Sequence, residues 1–134
     1  MNKKLIMVLG LLTLLFVGCK QETLEERTLR ECQEYTRRRC PEDQGNNAIL
    51  DSLVFDVKTH TLIQYCRLVN ESDNEEFVKN IKHELDDKII ESTRNSMDFK
   101  NLKDAGYSFR YVAFSHSSGL VLYDKTVTKD DYGY

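Results

Sequence analysis

Tryptophan is absent from the 134 residues, proline occurs once, glycine six times and histidine three times. A single proline excludes a collagen-like or polyproline chain, and so few glycines exclude a long flexible linker. The histidines at 60, 83 and 116 stand in no H-x-x-x-H spacing, and the cysteines at 19, 32, 40 and 66 in no C-x-x-C spacing. No G-x-x-x-x-G-K, G-x-G-x-x-G or G-x-S-x-G run occurs either, so the familiar phosphate-binding and nucleophile motifs are missing. Excess positive charge is also lacking. With 19 Lys and Arg against 22 Asp and Glu, the chain has no electrostatic basis for general nucleic-acid binding. What remains is 31% charged and 40% hydrophobic, a globular composition at a length suited to one domain.

Long apolar runs are rare, with one exception. Residues 5–17 carry no charge, follow Lys3 and Lys4, and lead into Gly18 and Cys19. A basic start, a short apolar stretch and a small residue at the exit make an export signal, and the run is shorter than the ~20 residues a membrane-spanning helix needs. Leu15-Phe16-Val17-Gly18-Cys19 resembles the bacterial lipoprotein signal, with Phe16 in place of the usual Leu. That resemblance implies cleavage after Gly18, a diacylglyceryl thioether on the Cys19 sulfur and acylation of the new amino terminus. Lipid is then the only covalent group expected, with no cofactor and no metal. Several acyl chains anchor stably where one does not. The expected organisation is a signal at 1–18, a lipid-bearing tether at 19–21, a domain at 22–128 and a flexible tail at 129–134. Losing Lys3 and Lys4 leaves 17 basic against 22 acidic side chains on the remaining 116 residues, an acidic domain on a membrane tether.

Within the domain, Leu24, Thr28, Cys32, Tyr35 and Arg39 recur at helical spacing and predict a helix over 22–39, ended by Pro41. Alternating runs at 49–57 and 61–69 predict a hairpin with Thr59-His60 as a two-residue loop. That register places Ile49, Asp51, Leu53, Phe55 and Val57 on one face with Leu62, Gln64, Cys66 and Leu68. Phe77, Val78, Ile81, Leu85, Ile89 and Ile90 predict a second helix over 73–95, with Ser72 and Glu75 as its capping box, which also reads Asn70-Glu71-Ser72 as a cap rather than a glycosylation site. Met97, Phe99 and Leu102 suggest a short helical turn before Gly106. A second hairpin follows at 107–115 and 119–128, around His116-Ser117-Ser118.

The expected fold is therefore α+β: helix–hairpin, helix–hairpin (αββαββ), with a four-stranded antiparallel sheet packed by two helices. A shift of 58 residues lays Val54 on Val112, Ile63 on Val121 and Tyr65 on Tyr123, agreement that a duplicated αββ unit or simply two amphipathic hairpins would produce. The segments at 50–56, 61–65, 102–111 and 119–120 resemble small exported αββαββ lipoproteins of Bacteroides-like bacteria. The resemblance implies a fold and no catalytic residues. The layout is also similar in architecture to the β-lactamase inhibitor protein, and a shared fold does not transfer function.

Cys32 and Cys40 are eight residues apart on one helix, about 12 Å along its axis, too far for a disulfide. Cys66 has Cys32 or Cys40 as partner; matching heights above the connecting loop favour Cys32–Cys66, against two free buried thiols. Cys40 follows Arg37-Arg38-Arg39, whose charges would activate its thiol if they did not simply complement the helix dipole.

His60 and His116, at the two hairpin tips, would form a metal site with Asp56 if the tips lay side by side. The second sheet face carries Val54, Ile63, Tyr65 and Arg67 from one hairpin and Arg110, Val112, Phe114, Val121, Tyr123 and Lys125 from the other. If both helices cover the first face, then Tyr65, Arg67, Arg110, Phe114, Tyr123 and Lys125 form a partner-binding surface rich in interface-type residues; if helix 1 packs here, they are core. The leading expectation is a non-enzymatic, exported lipoprotein, anchored in the outer membrane, that binds another protein and no nucleic acid. An inhibitor or immunity-type protein, and a small metal-binding protein or enzyme built on the tip histidines, are the alternatives.

Overall fold

A computed structural model describes residues 21–133. The signal, Lys20 and the lipid site at Cys19 lie outside the described residues. Helix α1 spans Leu24–Arg39. Thr23 and Glu26 close a reciprocal capping box at its start, the acidic side chains of Glu25 and Glu26 occupy its first turn, and Arg37, Arg38 and Arg39 occupy its last, each sign complementing the helix dipole. Strand β1 is only Glu42–Asp43, β2 is Ala48–Asp56 and β3 is Thr61–Leu68. After a tight helical turn at Asn70–Ser72 comes α2, Glu75–Asn95, then the short α3, Lys100–Asp104. Strands β4 (Ser108–Ser115) and β5 (Val121–Val127) precede a last helical turn α4, Lys129–Tyr132.

The αββαββ order is present, but the sheet has five strands in the order β1-β2-β3-β4-β5 and is mixed rather than antiparallel. β3 and β4 run parallel, Thr61 opposite Ser108 through Leu68 opposite Ser115. A parallel pair needs a long crossover, and residues 69–107, carrying α2 and α3, supply it.

Four local expectations change for identifiable reasons. The first hairpin turn holds residues 57–60 rather than two, because Asp56 accepts a hydrogen bond from the Lys58 amide and pairs with Thr61. A shift of two residues preserves the faces, so Phe55 and Leu53 still lie with Leu62 and Gln64. A bulge at Asp51 then exchanges them: Leu50 enters the core opposite Cys66, and Asp51 and Ile49 pass to the other side with Arg67. Ser72 does not cap α2. Asn74 does, accepting from the Phe77 amide; Ser72 lies in the turn Asn70–Ser72 and donates its hydroxyl to the Asn46 carbonyl, and Asp73 holds the Ser115 hydroxyl and the Ser117 amide. Finally, the expected flexible tail is structural. Tyr132 is 1% exposed, packs edge-on against Phe109, and donates its hydroxyl to the Tyr107 carbonyl.

All four helices cover one sheet face. Cys32, Phe55, Leu62, Leu102, Phe109 and Val127 form the main cluster beneath α1 and α3, joined by Ile89 and Ile90 of α2. Val78, Ala113 and Tyr123 form a second beneath the start of α2. Along the β2 edge, the Thr36 hydroxyl of α1 both donates to the Leu53 carbonyl, at 3.0 Å, and accepts from the Leu53 amide, at 2.9 Å. A helix side chain thus occupies the sheet edge beyond the two-residue β1, where an unpaired strand would otherwise invite another chain.

Candidate functional site

The open sheet face carries only part of the expected surface. Tyr65 and Phe114 are half-buried there and stack with ring centroids 6.1 Å apart. Arg67 pairs with Asp51 at 2.8 Å, and Arg110 grips both carboxylate oxygens of Asp124. Those hydrogen bonds hold the Asp124 carboxyl below the ordinary Asp range. The two ion pairs lie beside the apolar residues, so Val112 is 3% exposed although no described helix sits on it, while Val54 at the margin is 40% exposed.

Tyr123 and Lys125 do not belong to this face. A second bulge, at Leu122, shifts the register so that Tyr123 pairs with Ala113 and Lys125 with Tyr111, on the helix-covered side. Tyr123 is 5% exposed and donates to Asp86 of α2; burial first, and then that carboxylate, raise its hydroxyl above the usual tyrosine range. The 58-residue correspondence therefore holds for Val54 and Val112 but fails at Tyr65 and Tyr123, whose side chains face opposite ways.

The tip histidines are separated by the parallel seam. His60 precedes β3 and His116 follows β4, so the in-register strands put them at opposite ends, nine residues or about 30 Å apart at ~3.3 Å per residue. They cannot share an ion, and among the described residues no group of three His, Cys, Asp or Glu side chains is placed to hold one. His60 instead stacks on Tyr107, with ring centroids 4.7 Å apart, and contacts Glu25 of α1. His116 contacts Arg67, at 3.1 Å. His83 is exposed on α2 beside Asp87.

The three described cysteines are free thiols. Cys32 and Cys66 are not paired: Cys32 belongs to the core cluster that holds Phe55 and Leu62, and Leu62 is four strand residues, about 13 Å, from Cys66. Burial pushes the Cys32 thiol to about 12 and that of Cys66 to about 11. The arginine run does not activate Cys40, whose thiol is raised by burial and by the nearby carboxylates of Glu42 and Asp51.

Sequence patterning missed a cleft of about 670 Å³ between α1 and the segment 98–102, with the sheet as its floor. Leu24, Arg27, Thr28, Glu31, Cys32 and Tyr35 form the α1 wall, Leu50, Leu53 and Leu62 the floor, and Phe99 and Leu102 the opposite wall. Arg27, Glu31, Asp98 and Asn101 mark the polar rim. The only advance signal was the thinness of the α1 stripe, which leaves Leu53 of the floor half-exposed.

Solved structures of other proteins share this fold. A crystallised protein of Pseudomonas aeruginosa described as secreted superposes with a TM-score of 0.67 at 9% identity, covering 84% of this chain and 99% of its own. The pilotin EpsS of the Vibrio vulnificus type 2 secretion system gives 0.63 at 13% identity, covering 83% and 93%. The type II secretion pilotin AspS of Vibrio cholerae gives 0.55 at 17% identity, covering 81% and 91%. At such identities the likeness is one of fold. No curated protein sequence matches. The chain belongs to the DUF8479 family, a domain of unknown function, which matches residues 23–123.

Proposed function

We propose that this chain is a lipid-tethered protein of the cell envelope, without enzymatic activity, that holds an amphipathic helix of another envelope protein in the α1 cleft. The cleft carries the reading. Its α1 wall runs from Leu24 to Tyr35, about 16 Å at ~1.5 Å per residue. A volume of about 670 Å³ over that length leaves a cross-section of roughly 40 Å², enough for a row of side chains but not for a helix about 10 Å across. A helix resting on the rim would insert anchors at i, i+4 and i+7 against the half-buried Leu24, Leu53 and Phe99, above the buried Leu50 and Leu62, with its flanks meeting Arg27, Glu31 and Asp98. Two structures of like fold are secretion-system pilotins, which supports a protein-handling role in the envelope. The export signal and Cys19 supply the tether.

Site-specific photocrosslinking in intact cells tests the site. Benzoylphenylalanine at Arg27 or Asn101 is expected to capture a discrete partner that the same group at Tyr65 or Lys79 does not. Equal capture from Tyr65 would move the site to the open face, and capture from none would refute the cleft. Mass spectrometry of the mature chain tests the tether separately: an unmodified Cys19 overturns it.

A further inference from the structure

We infer that Cys40 and Cys66, unbonded in this structure, are the pair that oxidises to the protein's disulfide when the exported chain folds, stapling the end of α1 to β3. Three contacts set the levels of the cysteines. α1 runs antiparallel to β2: Glu25 meets His60 at one end, Thr36 meets Leu53 midway, and the Cys40 amide closes the last turn on the Thr36 carbonyl. Cys40 lies four helix residues beyond Thr36, about 6 Å along the axis, which on the strand is about two residues beyond Leu53. That level is Asp51, the bulge residue next to Leu50, and Leu50 pairs with Cys66. Cys32 lies 6 Å or so the other way, level with Phe55 and Leu62. The row Glu42–Leu50–Cys66 crosses β1, β2 and β3, and Cys40 stands two residues before its first member. Both thiols feel the Asp51 carboxylate, and Cys66 also feels Cys40.

The chemistry is thiol–disulfide exchange with a disulfide oxidant of the exported compartment. The Cys40 thiolate attacks the oxidant's disulfide and releases one of its sulfurs as a thiol. The Cys66 thiolate then displaces the second. One S–S bond forms, one breaks, and the two electrons and two protons from the cysteines leave on the reduced oxidant. Burial keeps both thiols protonated once α1 has docked, so exchange belongs to the folding chain and is slow in the finished domain. The bond would fix the α1 wall of the cleft, though the pairing itself does not depend on the cleft's occupant or on the lipid.

The test uses the mature chain with Cys19→Ser, refolded from the reduced, denatured state in glutathione disulfide, then alkylated and cleaved with trypsin without reductant. The expected product links peptide 40–58 to peptide 59–67, two hydrogens lighter than their sum, with Cys32 alkylated in peptide 31–37. Adding reductant is expected to lower the urea midpoint of this chain but not of its Cys40→Ser or Cys66→Ser variants. Any linkage through Cys32, a bond between two chains, or three alkylated thiols after refolding would overturn the assignment.

Discussion

Replacing Thr36 by valine isolates the bridge between α1 and the sheet edge. The two side chains have nearly the same shape and helix propensity, so the change removes the hydroxyl and little else. In the native domain that oxygen satisfies both the carbonyl and the amide of Leu53. Without it, both groups remain behind a methyl on a half-buried helix face. At about 1 kcal/mol for each hydrogen bond in such a setting, Thr36→Val is expected to cost about 2 kcal/mol. With a urea slope of roughly 1.3 kcal/mol per molar for a domain this size, the unfolding midpoint falls by about 1.5 M. Thr36→Ser keeps the hydroxyl and loses one methyl, a cost of about 0.8 kcal/mol at most. Equilibrium urea unfolding followed by tyrosine fluorescence and circular dichroism measures both. Valine within 0.5 kcal/mol or so of wild type, or serine as damaging as valine, would show that Thr36 does not serve the edge as argued.

Other expectations can be checked with the same unfolding assay. Tyr132→Ala, emptying a site that is 1% exposed, is expected to cost about 3–5 kcal/mol, and a loss under 1 kcal/mol or so would mean that the last turn is dispensable. The Asp73 carboxyl is held below the ordinary Asp range, first by the Ser115 hydroxyl and then by Ser117. Its contribution is therefore complete above the unfolded value near 3.9 and is lost as pH falls through the folded value. Stability of the wild type should decline as pH falls below about 4 more steeply than that of Asp73→Asn, and parallel profiles would refute the linkage. The Tyr65→Ala/Phe114→Ala double variant is expected to leave partner recovery within about twofold of wild type if the cleft is the docking site; a tenfold loss, about 1.4 kcal/mol, would shift the site to the open face.

The helices and strands were legible because their burial patterns are local. Thr28 and Cys32 on α1, and the shared face of Phe55 and Leu62 in the first hairpin, follow from periodicity alone. The two bulges were not, because an extra residue in one strand has meaning only against its partner, and nothing near Asp51 or Leu122 marks it in the chain. The bulge at Leu122 turned Tyr123 from the open face into the core, and the bulge at Asp51 brought Leu50 inward. The parallel seam was hidden for a related reason: two amphipathic hairpins are equally compatible with either direction of pairing, and the length of the α2–α3 crossover decides. Tyr132, near acidic and glycine neighbours, reads as a loose end until Phe109 and the Tyr107 carbonyl provide its site. The cleft escaped because it is a property of what α1 leaves uncovered.

The parallel seam also sets an order of assembly. Each hairpin joins residues near in sequence, whereas Thr61 and Ser108 meet only after 47 residues have been brought round. Non-local pairing forms more slowly than local pairing, so each hairpin is expected to close before the seam does. During that interval β3 and β4 are both raw edges, each rich in aromatic and branched residues, and each able to pair with another copy instead. The hazard is greatest while the helix between them is still finding its place. Whatever speeds the folding of residues 75–95 guards the nascent chain against aggregation, and a helix-breaking change there would be felt in yield before it was felt in the finished molecule.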